Sequence, residues 1–162
     1  MDNLRILPAT PPDVPVLLDM VRELAEFERL LHAVDADEPL FHEALFGSHP
    51  ACEAVLARVG GDVVGFALYF HNFSTFRGRR GLYLEDLYVR PSARGQGVGK
   101  ALLLHLGRLA VQRGCARFEW SVLDWNQHAI DFYRSMGAEP MDEWTVFRVS
   151  GEALARMGRS TG

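Results

Sequence analysis

Leu82-Tyr83-Leu84-Glu85-Asp86-Leu87-Tyr88-Val89, a break at Pro91, and then Arg94-Gly95-Gln96-Gly97-Val98-Gly99 form the stretch on which the reading of this chain turns. The first run is rich in β-formers and predicts a strand, which Pro91 ends. The glycine cluster opens a helical register through Leu102, Leu103, Leu106, Leu109 and Ala110, up to Gly114. A strand that runs into a glycine-rich turn opening a helix gathers backbone N–H groups and the helix's positive end on one point, and such a point binds phosphate. Glycines at alternate positions remove Cβ atoms that would hold an anion away, and Arg94 adds a permanent positive charge. Taken alone, an ordinary tight turn is the plain alternative.

Spacing narrows the choice of phosphate. A P-loop needs GxxxxGK followed by Ser or Thr, but here the first position is Arg94 and the last is Ala101, so the magnesium-binding hydroxyl is missing. A dinucleotide site needs GxGxxG after the first strand of a βαβ unit, whereas this loop is GxGxG in mid-chain.

Upstream of this stretch, Leu4 to Leu7 predicts a first strand. Thr10 and Asp13 offer caps for a helix running to about Leu31, with an apolar face of Val14, Leu17, Leu18, Val21, Leu24, Ala25 and Leu31. A shorter helix is predicted over Glu38 to Phe46. Ala51 to Val59 and Val63 to Phe70 then read as strands joined by the hairpin signal Gly60-Gly61-Asp62, with a polar connection from Asn72 to Gly81. Downstream come a strand at Arg117 to Leu123, a helix from Asn126 through Met136, a strand at about Trp144 to Val149 and a terminal helical turn. The order β-α-α-β-β-β-α-β-α-β predicts one α/β (α+β) domain over 1–162, with disorder only at the Gly158 to Gly162 tail.

The 17 basic against 21 acidic residues give a net charge of −4, which disfavours nucleic acid and suits a cationic substrate. Lys100 is the only lysine, a bias that genomic base composition accounts for. The apolar runs fall short of the ~20 residues a membrane helix needs, and Met1-Asp2-Asn3 opens no signal peptide, so a cytoplasmic location is expected. Cys52 and Cys115 lack metal or redox spacing and read as reduced thiols. No two histidines lie three or four apart, so no metal is expected.

The strand, the glycine loop, Asp124-Trp125-Asn126 and Phe132-Tyr133-Arg134-Ser135-Met136-Gly137-Ala138 occur in the order and spacing of GNAT acetyltransferases, which this chain resembles. Ile6 to Thr10, Glu23 to Glu28 and Tyr83 to Asp86 are similar to the spermidine/spermine (diamine) acetyltransferase branch, over nearly the whole chain. The resemblance implies a mixed central sheet splayed between the fourth and fifth strands, with acetyl-CoA as cofactor. Its pantetheine would bond to the backbone of Leu87, Tyr88 and Val89, and its pyrophosphate would lie on Arg94, Gly95, Gln96, Gly97, Val98, Gly99 and Lys100. Asn126 is implied to touch the cofactor, a plain helix N-cap being equally supported.

By the same resemblance Tyr133 protonates the leaving sulfur, Glu85 acts as general base through water, and Asp86 and Glu28 bind the cationic amine. Core packing is the alternative for Tyr133, and a solvated acidic pair the alternative for the strand carboxylates. Regular alternation would send Glu85 and Asp86 to opposite faces, but the family carries a β-bulge near this point that could turn both to the substrate. Two substrate positions depart from the branch: Phe27 stands where tyrosine is usual, and Phe76 where an Asp-Pro-Trp segment is usual. The acidic contact of that loop is missing, which favours a shorter or lysine-like amine, as in the thialysine-acetylating relatives, over long polyamines. The implied function is direct acetyl transfer to a small amine by a homodimer. An enzyme acting on a protein N-terminus or lysine, and a non-catalytic CoA-binding module, are the alternatives.

Overall fold

The computed structural model describes residues 3–162, which fall into two compact units, one up to Ser121 and one from Val122 to Gly162. The larger is built on one sheet of five strands, β1 (Leu4–Pro8), β2 (Glu53–Val59), β3 (Asp62–Ser74), β4 (Arg79–Val89) and β5 (Arg117–Trp120), in that spatial order. The first four run antiparallel and β5 joins β4 in parallel. A parallel partner needs a long crossover, and helix α3 (Val98–Gln112) supplies it. Between β1 and β2 run α1 (Val14–Phe27) and α2 (Glu38–Phe46).

Strand alternation sorts the core. Leu17 and Met20 of α1, Leu45 of α2, Ala54 and Leu56 of β2, Phe66 of β3 and Tyr88 of β4 make one cluster, so α1 and α2 cover one face of the sheet. On the other face, a Cβ on Gly65 would lie 3.5 Å from Leu102 of α3. Phe66 is fully buried, and truncating so large a side chain costs about 3–5 kcal/mol.

Three predicted boundaries shift. Helix α1 stops at Phe27 rather than Leu31, because Arg29 adopts a left-handed φ of 60° and Leu31–Ala33 form a separate 3-10 turn. Leu31 is 46% exposed, so its place in the apolar pattern corresponds to no burial. The polar connection expected over Asn72 to Gly81 is largely strand: Asn72, Phe73 and Ser74 pair with Gly81, Arg80 and Arg79, leaving a short tip closed by Gly78 at φ 63°. An antiparallel ladder satisfies backbone groups whatever the polarity of its side chains, so polarity alone misread these residues. The strand predicted to Leu123 ends at Trp120.

The smaller unit holds α4 (Gln127–Ser135) and α5 (Gly151–Arg159). Helix α4 ends in a Schellman motif, in which Gly137 N–H donates to the Arg134 carbonyl at 3.0 Å and Ala138 N–H to the Tyr133 carbonyl at 3.1 Å. Gly137 sits at φ 91°, which explains why glycine follows Tyr133 at this spacing. The strand predicted at Trp144 to Val149 does not form. β-Formers make a strand only where a neighbouring strand pairs with them, no ladder reaches these residues, and Trp144, Val146 and Phe147 are 76%, 83% and 91% exposed. The terminal turn is a full helix, α5, which takes in Gly158 and Arg159 of the tail expected to be disordered.

Candidate active site

Pairing between β3 and β4 slips at one point. Leu68 pairs with Asp86 and Tyr69 with Leu84, so Glu85 is the extra residue of a β-bulge. Residues opposite each other in an antiparallel ladder share a face. Leu84 therefore points with Tyr69 to the α3 face, where Arg113 at the end of α3 lies 6.0 Å from the Tyr69 ring. Asp86 points with Leu68 to the α1 face, as Tyr88 does with Phe66. The bulge implied by the family resemblance thus stands at Glu85.

Electrostatics single out this spot. The Asp86 carboxyl is pushed up to about 7, first by burial and then by the charges of Glu85 and Glu28. Glu28, the cap residue of α1, is raised by burial. Glu85 is exposed, and its field also reaches the half-buried Cys52 thiol, which is raised by burial, then by Glu53, then by Glu85. Ion pairs elsewhere join Arg58 to Asp13, Arg90 to Glu23, Arg113 to Glu53, Arg117 to Glu119 and Arg159 to Glu152. Among the described residues no cation is paired with Glu28, Glu85 or Asp86, and no group of three or more His, Cys, Asp or Glu is placed to hold a metal.

The glycine loop follows from the end of β4. Gly95 and Gly97 have φ of 76° and 83°, conformations that favour glycine, and a Cβ on either would meet nothing within 4 Å, so the loop's mouth is open. Gly97 caps α3. The N–H groups of Val98, Gly99 and Lys100 are first-turn donors with no carbonyl one turn back. The Val98 side chain is buried in the core, Lys100 is exposed, and Gln96 donates to the Ser92 carbonyl at 3.4 Å. A Cβ on Gly99 would touch Val89 and Leu87 at 3.7 and 3.8 Å, so those side chains lie under α3. The β4–β5 ladder ends at Leu84 and Trp120 while β4 runs on to Val89, so among the described residues no strand of the sheet pairs the outer edge of Leu87 to Val89. Open glycines, free first-turn donors and an unpaired strand edge fit the diphosphate and the amide-bearing arm of CoA.

Arg94 does more than its position in the loop implied. Its Nε donates to the Val89 carbonyl at 3.0 Å, and its guanidinium lies 5.3 Å from the Phe27 ring centre and 5.7 Å from that of Tyr88. Beneath it, the Tyr88 hydroxyl donates to Glu23 at 3.2 Å, and Arg90 binds the same carboxylate while donating to the Val63 carbonyl at 3.0 Å. These links tie α1 to β4 next to the carboxylates. Partners more than sixty residues apart left no local signal in the sequence.

Glu28 and Glu85 lie near enough to Asp86 for their charges to act on it, and Arg94 sits over Phe27 next to Glu28. Phe76 does not join them: it is fully exposed at the tip of the β3–β4 hairpin, about 20 Å along β4 from Glu85 at the usual strand rise. In the smaller unit, the Asn126 side chain caps α4 by accepting from Ala129 N–H at 3.3 Å. Tyr133 stands in the last turn of α4, its ring 5.6 Å from that of Phe132.

Residues 18–138 match the model of the acetyltransferase (GNAT) family. A thialysine N-epsilon-acetyltransferase of Mus musculus is 38% identical, the alignment covering 97% of this chain and 98% of the mouse protein. An L-ornithine N5-acetyltransferase of Arabidopsis thaliana is 33% identical over 93% of this chain and 86% of its own length. In structure, an integron cassette protein from the mobile metagenome of V. cholerae superposes with a TM-score of 0.83 at 28% identity, covering 98% of this chain and 99% of that one. Among the described residues, no helix is long and apolar enough to cross a membrane. With the glycine loop, the bulged acidic strand and these matches in hand, the chain belongs to the GNAT family of N-acetyltransferases, whose acetyl donor is acetyl-CoA.

Proposed function

We propose that the protein moves the acetyl group of acetyl-CoA to a primary amine of a small multiply charged cation, a diamine, polyamine or lysine-like amine, by direct attack in a ternary complex. The observation that carries this reading is the set of Glu85 and Asp86 on the β4 bulge and Glu28 at the end of α1, whose charges act on Asp86 and which no cation pairs among the described residues. Like charges so placed raise one another's proton affinity, and an incoming ammonium relieves the repulsion. The relatives named for thialysine and L-ornithine support it, since both molecules carry two amino groups. The exposed Phe76, distant from the cluster, favours the shorter amines.

Acetyl-CoA supplies an activated acyl carbon and a thiol leaving group. The first-turn donors Val98, Gly99 and Lys100, with Gly95, Gln96 and Gly97, hold its diphosphate, and the Leu87 to Val89 backbone holds its arm and polarises the thioester carbonyl. Asn126 steadies the cofactor. Arg94 keeps Phe27 over the end of the loop. A carboxylate of the cluster takes a proton from the ammonium, and Tyr133 gives one to the sulfur. No Cys or Ser is needed as nucleophile. The whole chain acts as one domain and pairs as a homodimer.

The test is to incubate the protein with acetyl-CoA and, separately, with putrescine, spermidine, thialysine, L-ornithine, L-lysine and peptides bearing free N-termini or lysines, reading released thiol. Small dications are expected to turn over. Thiol release with the peptides alone would overturn the reading.

A further inference from the structure

We propose that Asp86, not its neighbour Glu85, takes the proton from the amine: the bulge at Glu85 turns Asp86 onto the α1 face opposite Leu68, half-buried, and leaves Glu85 exposed. This rests on the small-amine reading above. An alkylammonium has a pKa of about 10, so handing its proton to a carboxyl near 7 is only roughly 10³-fold uphill. Asp86 has that affinity, through burial first and the charges of Glu85 and Glu28 second. Both of those charges are negative. Glu28 reaches it from the end of α1 and Glu85 from β4 itself, while β3 offers Leu68. Arg90, further along β4, is closed on Glu23.

Glu85 then acts on Asp86 as well as on the substrate, since its charge keeps the neighbouring carboxyl basic. The ammonium loses two protons in becoming an amide. The first passes to Asp86 and on to water, which frees the nitrogen pair to form the C–N bond. The C–S bond breaks with its electron pair on sulfur, which takes a proton from Tyr133; the second N–H proton leaves to water, and Tyr133 takes one back from water.

The experiment follows kcat/KM for thialysine against pH at saturating acetyl-CoA. The parent should show an acid limb near neutrality. Glu85→Gln and Glu28→Gln each remove a neighbouring negative charge, so both should keep the limb and move it to lower pH. Asp86→Asn should abolish the limb and lower kcat by roughly 10²–10⁴-fold, with CoA affinity unchanged. A limb that persists in Asp86→Asn, or that vanishes in Glu85→Gln, overturns the assignment. Carboxyl carbon NMR of the free parent is independent of substrate and of any variant's folding: Asp86 should titrate near neutrality, and a midpoint near 4 overturns the proposal. If no small amine turns over while Asp86 still titrates near neutrality, the small-amine reading has failed and not the assignment of the basic carboxyl.

Discussion

The Arg94 guanidinium lies 5.3 Å from the centre of the Phe27 ring, and so joins the glycine loop to the last residue of α1. One side chain thereby spans the expected cofactor loop and the edge of the acidic cluster. Exposed cation–π pairs contribute about 0.5–1 kcal/mol each, and the bond to the Val89 carbonyl adds to this. Arg94→Ala should weaken CoA binding about tenfold and raise KM for the amine several-fold. Arg94→Lys should restore much of the CoA affinity, which needs charge, but not the amine KM, which needs the planar stack. Calorimetry with CoA and steady-state kinetics on both variants separate the two effects.

The glycines of the loop should respond differently. Valine at Gly97 must adopt φ 83° at a cost of about 1–3 kcal/mol, and it places a branched side chain in the open mouth. CoA affinity should fall more than tenfold while the fold survives. Alanine at Gly99 meets only ordinary contacts at 3.7 and 3.8 Å beneath the helix. It should stabilise α3 by about 0.5–1 kcal/mol and leave CoA binding nearly unchanged. Thermal melts and calorimetry on the two variants check the contrast.

Asp86 should set a pH dependence of stability. Unfolded, it holds its proton only below about 3.9, whereas folded it holds it up to about 7. Its contribution is therefore fully favourable below about 4 and is lost as pH rises to about 7. Asp86→Asn should be more stable than the parent at pH 8 by roughly 2–4 kcal/mol, and the gain should fade towards pH 4. Urea unfolding at the two pH values measures it. An equal effect at both would mean that the carboxyl is not strained in the fold.

Tyr133→Phe should lower turnover by roughly 10²–10⁴-fold with little change in acetyl-CoA affinity, because only a proton delivered in the transition state is lost. The carbonyl that closes the α4 cap is backbone, so the substitution leaves that cap in place. Turnover within a factor of two of the parent would make Tyr133 a packing residue.

Much of the fold was legible because elements carried their own punctuation: Gly60 and Gly61 turn the β2–β3 hairpin, and Gly97 opens α3. Where pairing rather than local pattern decides, the sequence misled. The polar residues Asn72 and Ser74 lie in a ladder, and the β-rich Trp144 to Val149 lies in none. Glu85, Asp86 and Glu28 were picked out by family likeness, which also implied a bulge, but that the extra residue is Glu85 shows only in the register of Leu68 against Asp86. The clamp of Arg94 on Phe27 and the Glu23, Tyr88 and Arg90 cluster depend on long-range packing, which no spacing in the chain encodes.

The most direct test of the central claim is the ratio of kcat/KM for thialysine to that for butylamine, measured by thiol release at pH 8. Three uncompensated carboxylates should favour the substrate with a second positive charge, and a close charge pair in a partly dehydrated site is worth about 1.5–3 kcal/mol, or roughly 10–100-fold. The ratio should reach that range in the parent and shrink in Glu28→Gln. Equal efficiency for the two amines, unchanged in Glu28→Gln, would contradict the reading of Glu28, Glu85 and Asp86 as a cation site.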